Sequence, residues 1–125
     1  MLLALGIGAG VLVDGSGPQT RTFAATVDAR GASGVLEVDD NGGMLLVSDM
    51  PPPPDGRVYQ VWLKRDDRQA PDPTAALFTV NDEGQASVAV PGDLGDVKDV
   101  LVTDEPEGGS SVPTRTTPIV SVALS

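Results

Sequence analysis

Short, valine-rich runs separated by turn-forming residues recur along this 125-residue chain and constrain its fold more than any other feature. From Thr22 onward the runs show the alternation typical of a β-strand, and they lack the spacing of a helix. The pattern predicts about eight strands, at 22–30, 34–39, 44–48, 57–65, 75–80, 85–90, 99–103 and 118–124. Strands at this spacing favour an all-β fold, which we predict to be an antiparallel Greek-key, immunoglobulin-like β-sandwich over residues 22–125.

The run at 57–65 differs from the others because both of its faces carry bulky side chains. Tyr59 and Trp62 lie on opposite faces, so we expect this strand to be central in its sheet. Four consecutive prolines precede it, and since proline lacks a backbone donor, Pro51 to Pro54 should form a stiff crossover between two sheets. Glycine-containing turns at 39–43 and 81–84 predict hairpin connections between the strands on either side.

The composition removes whole classes of chemistry. The chain has no His and no Cys, which excludes Ser-His-Asp and Cys-His nucleophiles, imidazole or thiolate metal ligands and disulfides. Its 8 Lys plus Arg against 18 Asp plus Glu give a net charge of -10, which argues against a nucleic-acid partner. We expect no cofactor and no metal, because the acidic clusters at 39–41 and 66–67 lack the spacing and the closing Glu of a calcium loop.

Two remaining candidates for chemistry have simpler structural interpretations. Glu105 and Glu107 could form an acid–base pair, but Pro106 and the glycines that follow predict a tight reversal, held by backbone N–H groups donating to Glu105. Tyr59 and Trp62 could line a ligand groove, but aromatic side chains on a strand of this kind are more often packing residues. The residues therefore favour a protein that is not an enzyme.

The amino-terminal segment has a different character from the rest of the chain. Residues 2–13 are uncharged and small or aliphatic, with three glycines among them. A membrane-spanning helix needs about 20 such residues. We interpret residues 1–13 as the outer end of a truncated transmembrane helix; a truncated signal-like segment and a glycine-broken strand are the alternatives. Residues 14–21 follow as a flexible juxtamembrane tether.

Three motifs occur in order over roughly residues 22–124. The first is the crossover and strand DMPPPPDGRVYQVWL at 49–63, the second begins at Leu77-Phe78, and the third extends from 102 to 120. Together they resemble the extracytoplasmic carboxy-terminal domain of the anti-sigma-K factor family of bacterial membrane-anchored regulators. Met50, Ala76 and Arg115 depart from the residues usual in that family. The family-like positions are Pro51, Pro54, Gly56, Arg57, Tyr59, Gln60, Trp62, Leu77, Phe78, Gly84, Thr103, Glu105, Pro106, Gly108, Gly109, Ser110, Pro113 and Thr114.

The resemblance implies a regulatory domain on the extracytoplasmic face of a bacterial membrane, anchored by a single pass in the full-length protein. It implies that the domain controls access of a membrane-site protease to the tether, and that cleavage releases a sigma factor and changes transcription. The family binds its sigma factor through a cytoplasmic domain, often a zinc-associated helical module, which is absent from this chain. The candidate protease-accessible positions are Asp14, Gly15, Ser16, Gly17 and Pro18.

Two further expectations stay open from the sequence. A homodimer through the edges of an open sandwich is compatible with the strand pattern. The alternative to the regulatory function is a stand-alone secreted or envelope-associated module, which would bind a glycan or peptide through the strand of Tyr59 and Trp62 or through an exposed sheet edge.

Overall fold

The computed structural model describes residues 20–40, 42–66, 70–115 and 117–124. Within these residues the chain forms β-strands and no helix, which confirms the all-β class, and so no helix there could cross a bilayer. The predictions for residues 1–13 and for Asp14 to Pro18 lie outside the described residues. The nine strands are β1 (Arg21–Ala24), β2 (Thr26–Val27), β3 (Ser33–Asp39), β4 (Gly42–Ser48), β5 (Arg57–Lys64), β6 (Asp72–Phe78), β7 (Ala86–Val90), β8 (Asp99–Pro106) and β9 (Val120–Ala123).

Two antiparallel sheets divide these strands. Sheet A has the order β1-β3-β4-β7, and sheet B has the order β2-β9-β8-β5-β6. The strand β5 pairs with β6 on one side and with β8 on the other, which confirms that it lies inside its sheet. Pro51 to Pro54 join β4 of sheet A to β5 of sheet B, so the proline run forms the predicted crossover.

The hydrophobic core combines residues of both sheets. Leu36 and Leu45 from sheet A, and Val61 and Val100 from sheet B, are all 0% exposed. Full burial of one such side chain contributes about 1.5–3 kcal/mol relative to an exposed one. In β3 the buried Leu36 and Val38 alternate with the exposed Glu37 and Asp39, in agreement with the period of two that predicted the strand.

The single strand predicted at 22–30 is wrong, because the chain changes sheets within it. The Ala25 N–H still donates to the Gly34 carbonyl at 2.9 Å, beside sheet A, whereas the Asp28 N–H donates to the Ile119 carbonyl at 2.8 Å, beside sheet B. A turn begins directly after β2. An extended chain keeps its period of two while it changes partner, so alternation alone could not reveal the switch.

The hairpin predicted at 81–84 is also wrong as a strand connection, although its turn is correct. Asn81 Oδ1 accepts the N–H groups of Glu83 and Gln85, at 2.9 and 2.8 Å, and Gly84 has the left-handed φ of 75° that the turn needs. One rung forms, from the Asn81 N–H to the Gln85 carbonyl at 3.0 Å. The flanking strands then separate, because β6 pairs in sheet B and β7 pairs in sheet A. The turn at 39–43 does join a hairpin, β3 to β4.

Among the strands whose limits differ from the prediction, β6 and β8 differ for local reasons. The strand β6 covers Asp72–Phe78 rather than 75–80, and it includes Pro73. Proline is tolerated there because β6 is the edge of sheet B, where one side of the strand needs no donor. The strand β8 continues to Pro106, three residues beyond its predicted end, because it pairs with β5 as far as Arg57.

The two ends of the sandwich are connected unequally. The connections 28–32, 49–56 and 79–85 all pass between the sheets at the end where β4 and β6 finish. Two of them touch, since the Met50 N–H donates to the Gly84 carbonyl at 3.0 Å. The opposite end carries the β3–β4 hairpin, the single crossing 91–98 and the start of β1, where Arg21 lies opposite Val38.

Candidate functional site: the polar cluster on sheet B

The polar residues of the sequence motifs converge on the outer face of sheet B, which is turned away from sheet A. Residues opposite one another in neighbouring strands share a face, and Gln60 of β5 lies opposite Thr103 of β8. Side chains on an outer face usually meet solvent, yet Gln60, Trp62, Thr103 and Glu105 are at most 3% exposed. Residues 107–115 and 117–118, which we call the covering loop, bind back onto this face and bury them.

Glu105 lies at the centre of the cluster and is 0% exposed. Its Oε2 accepts the Thr103 hydroxyl and the Thr114 N–H, the latter at an N···O distance of 3.1 Å, and Oε1 lies 3.3 Å from the same nitrogen. The Trp62 Nε1–H donates to Thr103 Oγ1 at 2.8 Å. The expected role of Glu105, accepting a backbone N–H to hold the reversal, is thus confirmed at Thr114.

The protonation state of Glu105 follows from two opposing effects. Burial raises its pKa, but hydrogen bonds from Thr103, Thr114 and Ser110 outweigh burial and bring the pKa below the ordinary value. Glu105 is therefore an ionised acceptor at neutral pH, the opposite of a general acid, whose pKa must be raised. Glu107 is exposed to solvent, and the two carboxylates do not share an environment.

Gln60 fixes the covering loop at Ser110. Its Oε1 accepts the Ser110 N–H at 2.8 Å, and its Nε2 donates to the Ser110 carbonyl at 3.1 Å and to the Thr74 carbonyl at 3.4 Å. The Gln60 amide thus hydrogen-bonds both the N–H and the carbonyl of Ser110, as the backbone of a neighbouring strand would. The register between β5 and β6 shifts between Gln60 and Trp62, and there the Thr74 hydroxyl donates to the Val61 carbonyl at 2.7 Å.

A second set of contacts fixes the covering loop through Asp104. Arg57 Nε donates to Asp104 Oδ1 at 3.1 Å, and its Nη2 donates to the Asp104 carbonyl and to Thr114 Oγ1, both at 2.9 Å. Arg115 Nη1 donates to Asp104 Oδ2 at 3.2 Å. Asp104 therefore lies between two guanidinium groups, and the departure from the family pattern at Arg115 adds an ion pair.

Glycine is required where the covering loop leaves β8. Gly108 and Gly109 have φ of 93° and 86°, a region that favours glycine. The Gly109 N–H donates to the Pro106 carbonyl at 2.9 Å, and a Cβ at Gly109 would lie 3.3 Å from both Gln60 Oε1 and Leu77 Cδ2. The second glycine therefore permits the close approach that brings Ser110 onto Gln60.

The other motif residues support the crossover between the sheets. The Tyr59 hydroxyl donates to the Pro51 carbonyl at 2.5 Å, and its ring lies 5.4 Å from that of Phe78. Burial raises the pKa of Tyr59, and the negative charge of Asp104 raises it further. The Pro54 carbonyl accepts the Arg57 N–H at 3.0 Å.

Hydrogen bonding within this arrangement is complete among the described residues. Every buried side-chain nitrogen and oxygen in the described residues has a hydrogen-bond partner, so the cluster presents no free acceptor or donor. Within the same residues, no group of three or more acidic side chains is placed to hold a metal ion. Tyr59 and Trp62 are 1% and 0% exposed and offer no aromatic platform to a glycan.

Sequence reasoning brought most of these residues to attention but missed some of their partners. Asp104, Arg115 and Thr74 were not among the candidate positions, although each binds a candidate residue. No local signal marks Thr74. The alternation of β8 places Asp104 on the face opposite Glu105, which could have suggested that it serves a separate set of contacts.

Comparison with known proteins gives a consistent result. The family model described as "Anti-sigma-K factor rskA, C-terminal" matches residues 1–119. The chain is 34% identical over 98 residues to an anti-sigma-K factor RskA of Mycolicibacterium vanbaalenii, covering 78% of this chain and 40% of the relative. It is 34% identical over 101 residues to the protein of that name from Mycobacterium ulcerans, covering 79% and 41%. A third, from Mycobacterium tuberculosis, is 33% identical over 102 residues, covering 79% and 42%.

The extent of these matches defines what they establish. The chain spans about two fifths of the length of the curated relatives it matches. No solved structure matches it significantly. The family model nevertheless covers nearly the whole chain. All three motifs lie within the matched region, except that the third motif ends one residue beyond it, at 120. The chain belongs to the family of anti-sigma-K factor carboxy-terminal domains.

Proposed function

We propose that this domain is the extracytoplasmic regulatory part of a membrane-anchored anti-sigma factor and that it is not an enzyme. The family membership carries the proposal. The relatives are named anti-sigma-K factors, and the full-length protein would bind its sigma factor through a cytoplasmic domain that this chain does not contain. The polar cluster, which holds a loop and leaves no reactive group free, supports a domain that regulates through its shape.

The domain would act by controlling proteolysis of the segment that precedes it. Residues 1–13 would belong to the membrane anchor, and a membrane-site protease would cut between Asp14 and Arg21 to begin release of the sigma factor. Arg21 also begins the edge strand β1, which pairs with β3 over only four residues. Proteases bind their substrates as extended strands. A β1 that stays paired in sheet A would therefore keep the adjacent tether from entering the active-site cleft of the protease.

The proposal includes two structural interpretations. The chain visits sheet A, then B, A, B, A and B, and this interleaving supports the Greek-key, immunoglobulin-like arrangement. The strands β6 and β7 each have one unpaired edge in the described sheets, and a homodimer would form along one of them. Sedimentation of the purified chain at increasing concentration measures this association.

The test uses the full-length protein in membranes with its cognate protease, followed by mass spectrometry of the fragments. We expect the first cut within residues 14–21. Cuts confined to the sandwich, with 14–21 intact, would contradict the proposal. The experiment measures position and therefore does not depend on knowing the stimulus.

A disulfide tests whether the sandwich controls the cut. The chain lacks Cys, so Thr22→Cys with Glu37→Cys would introduce one bond, between residues that are opposite in β1 and β3. We expect slower cleavage when this bond is oxidised and recovery on reduction. Leu46→Cys with Ser87→Cys, opposite in β4 and β7, is the matched control and should change nothing. Equal rates in all four states would show that β1 does not control access.

A further inference from the structure

A cleft of about 480 Å³ lies on the outer face of sheet B, next to the polar cluster. The fully buried Trp62 lies directly behind it, opposite Leu101 of β8, and Leu101, Pro113 and Pro118 contribute apolar lining. Every lining residue is buried or half-buried. Its volume lies within the range of about 300–1,000 Å³ found for small-ligand sites, and its apolar walls are typical of them.

Among the described residues, two charged side chains in this cleft stay unpaired. Lys64 and Asp99 are opposite each other in β5 and β8 and therefore share the outer face. In the part of the chain that the structure describes, neither side chain forms a hydrogen bond or an ion pair, including with the other. Arg115, at the rim, is already bound to Asp104. A ligand that carries both charges would give each of these two side chains a charge-assisted contact.

We propose that this cleft binds a free amino acid with an apolar side chain, as its zwitterion. Its carboxylate would bind the Lys64 ammonium and its ammonium the Asp99 carboxylate, while its side chain packs against Leu101 and the two prolines. Opposite residues on neighbouring strands have Cβ atoms about 4.5–5.5 Å apart, which suits a ligand that carries both charges on one carbon. A simple anion or cation would satisfy one of the two charges and be repelled by the other.

The charge of the chain favours the same class of ligand. With a net charge of -10, the protein repels anions, but a zwitterion has no net charge and is not excluded. The depression lined by Asp39, Asp40 and Asp93 differs from the cleft, because these three carboxylates are exposed to solvent. The inference does not depend on whether the domain regulates proteolysis.

The test is a titration of the purified chain with L-leucine, followed by NMR. Trp62 is the one tryptophan in the sequence, so its Nε1–H signal is assigned without ambiguity and reports on the layer directly behind the cleft. We expect saturable shifts at Trp62, Leu101 and Ser121. Each charge of the ligand can be removed separately, as N-acetyl-leucine and as leucinamide, and each of these should bind at least about tenfold more weakly, since each loses one charge-assisted contact.

Three variants assign the contacts. Lys64→Gln should weaken leucine about tenfold but should not weaken leucinamide, which has no carboxylate to lose a partner and no longer meets a like charge. Asp99→Asn should weaken leucine similarly but should not weaken N-acetyl-leucine. Arg30→Gln is the matched control: Arg30 is exposed and lies outside the cleft, and its loss changes the net charge as much as the loss of Lys64.

The proposal fails under any of three results. The first is the absence of saturable shifts at Trp62 with leucine at millimolar concentrations, while the chain is folded by circular dichroism. The second is equal binding of leucine and its two blocked forms, and the third is equal effects of Lys64→Gln and Arg30→Gln; either would show that the paired charges do not recognise the ligand.

Discussion

Glu105 offers the sharpest test of how the covering loop is held, through the substitution Glu105→Gln. The side chain keeps its size, but an amide nitrogen replaces one of the two acceptor oxygens that meet the Thr103 hydroxyl and the Thr114 N–H. A buried donor left without an acceptor costs about 1–3 kcal/mol, and relief from burying the charge offsets part of this. We expect a net loss of about 1–3 kcal/mol from a total stability on the order of 5–15 kcal/mol.

Urea denaturation measures this loss, with the fluorescence of Trp62 as the signal. Because the slope for a small protein is about 1–3 kcal/mol per molar urea, the midpoint should fall by roughly 1 M. Glu107→Gln is the matched control: Glu107 lies in the same loop but is exposed, and it should shift stability by less than about 0.5 kcal/mol. Hydrogen exchange at Ser110 and Thr114 should also accelerate in Glu105→Gln alone.

The same residue predicts a pH dependence. Burial raises the pKa of Glu105 and hydrogen bonds lower it further than burial raises it, so its pKa in the fold lies below its unfolded value of about 4.3. The stabilisation is therefore present above that pH and is lost as pH falls through the folded pKa. Glu105→Gln should lose less stability than wild type on acidification. If the two variants at 105 and 107 behave alike in urea and in acid, Glu105 does not hold the loop and the reasoning is refuted.

Two other contacts give predictions of similar precision. Tyr59→Phe removes the hydrogen bond to the Pro51 carbonyl and should cost about 0.5–1.5 kcal/mol in the same urea assay. Because burial raises the pKa of Tyr59, the wild type should also lose stability as pH rises above about 10, and thermal melts should show less of this loss in Tyr59→Phe. Gly84→Ala places a Cβ 2.6 Å from the Met50 carbonyl oxygen at a φ of 75° and should cost about 2 kcal/mol or more. Gly56→Ala, at a φ of 78° with no atom within 4 Å, should cost less, and an equal cost would show that the contact with Met50 is unimportant.

Local pattern predicted the strands well where neighbouring residues decide the conformation. The alternation in β3 and β5 and the prolines at 51–54 each depend on a few adjacent residues, and the structure agrees with them. The choice of sheet is not a local property. The chain turns at Asn81 as its residues require, but whether β6 and β7 then pair depends on which partners the other strands have taken.

The polar cluster shows the same difference between contacts set by neighbouring residues and contacts between distant ones. Glu105 could be assigned to the reversal because Pro106 and Gly108 stand beside it in the sequence. Gln60, in contrast, meets Ser110 across 50 residues, and no spacing in the sequence indicates that pair. Ionic contacts such as Arg57 with Asp104 are equally remote, at a separation of 47 residues, and they become visible only when β5 and β8 are aligned.

The unequal connection of the two ends gives the sandwich a mechanical polarity. Besides the change of sheet at Ala25, three connections join the sheets at the end where Met50 meets Gly84, and one connection, 91–98, joins them where β1 begins. The chain therefore links the two sheets more closely at the Met50 end than at the other end. The chain ahead of Thr20 enters β1 at the end with fewer connections, so a pull on it acts first on the four residue pairs that join β1 to β3.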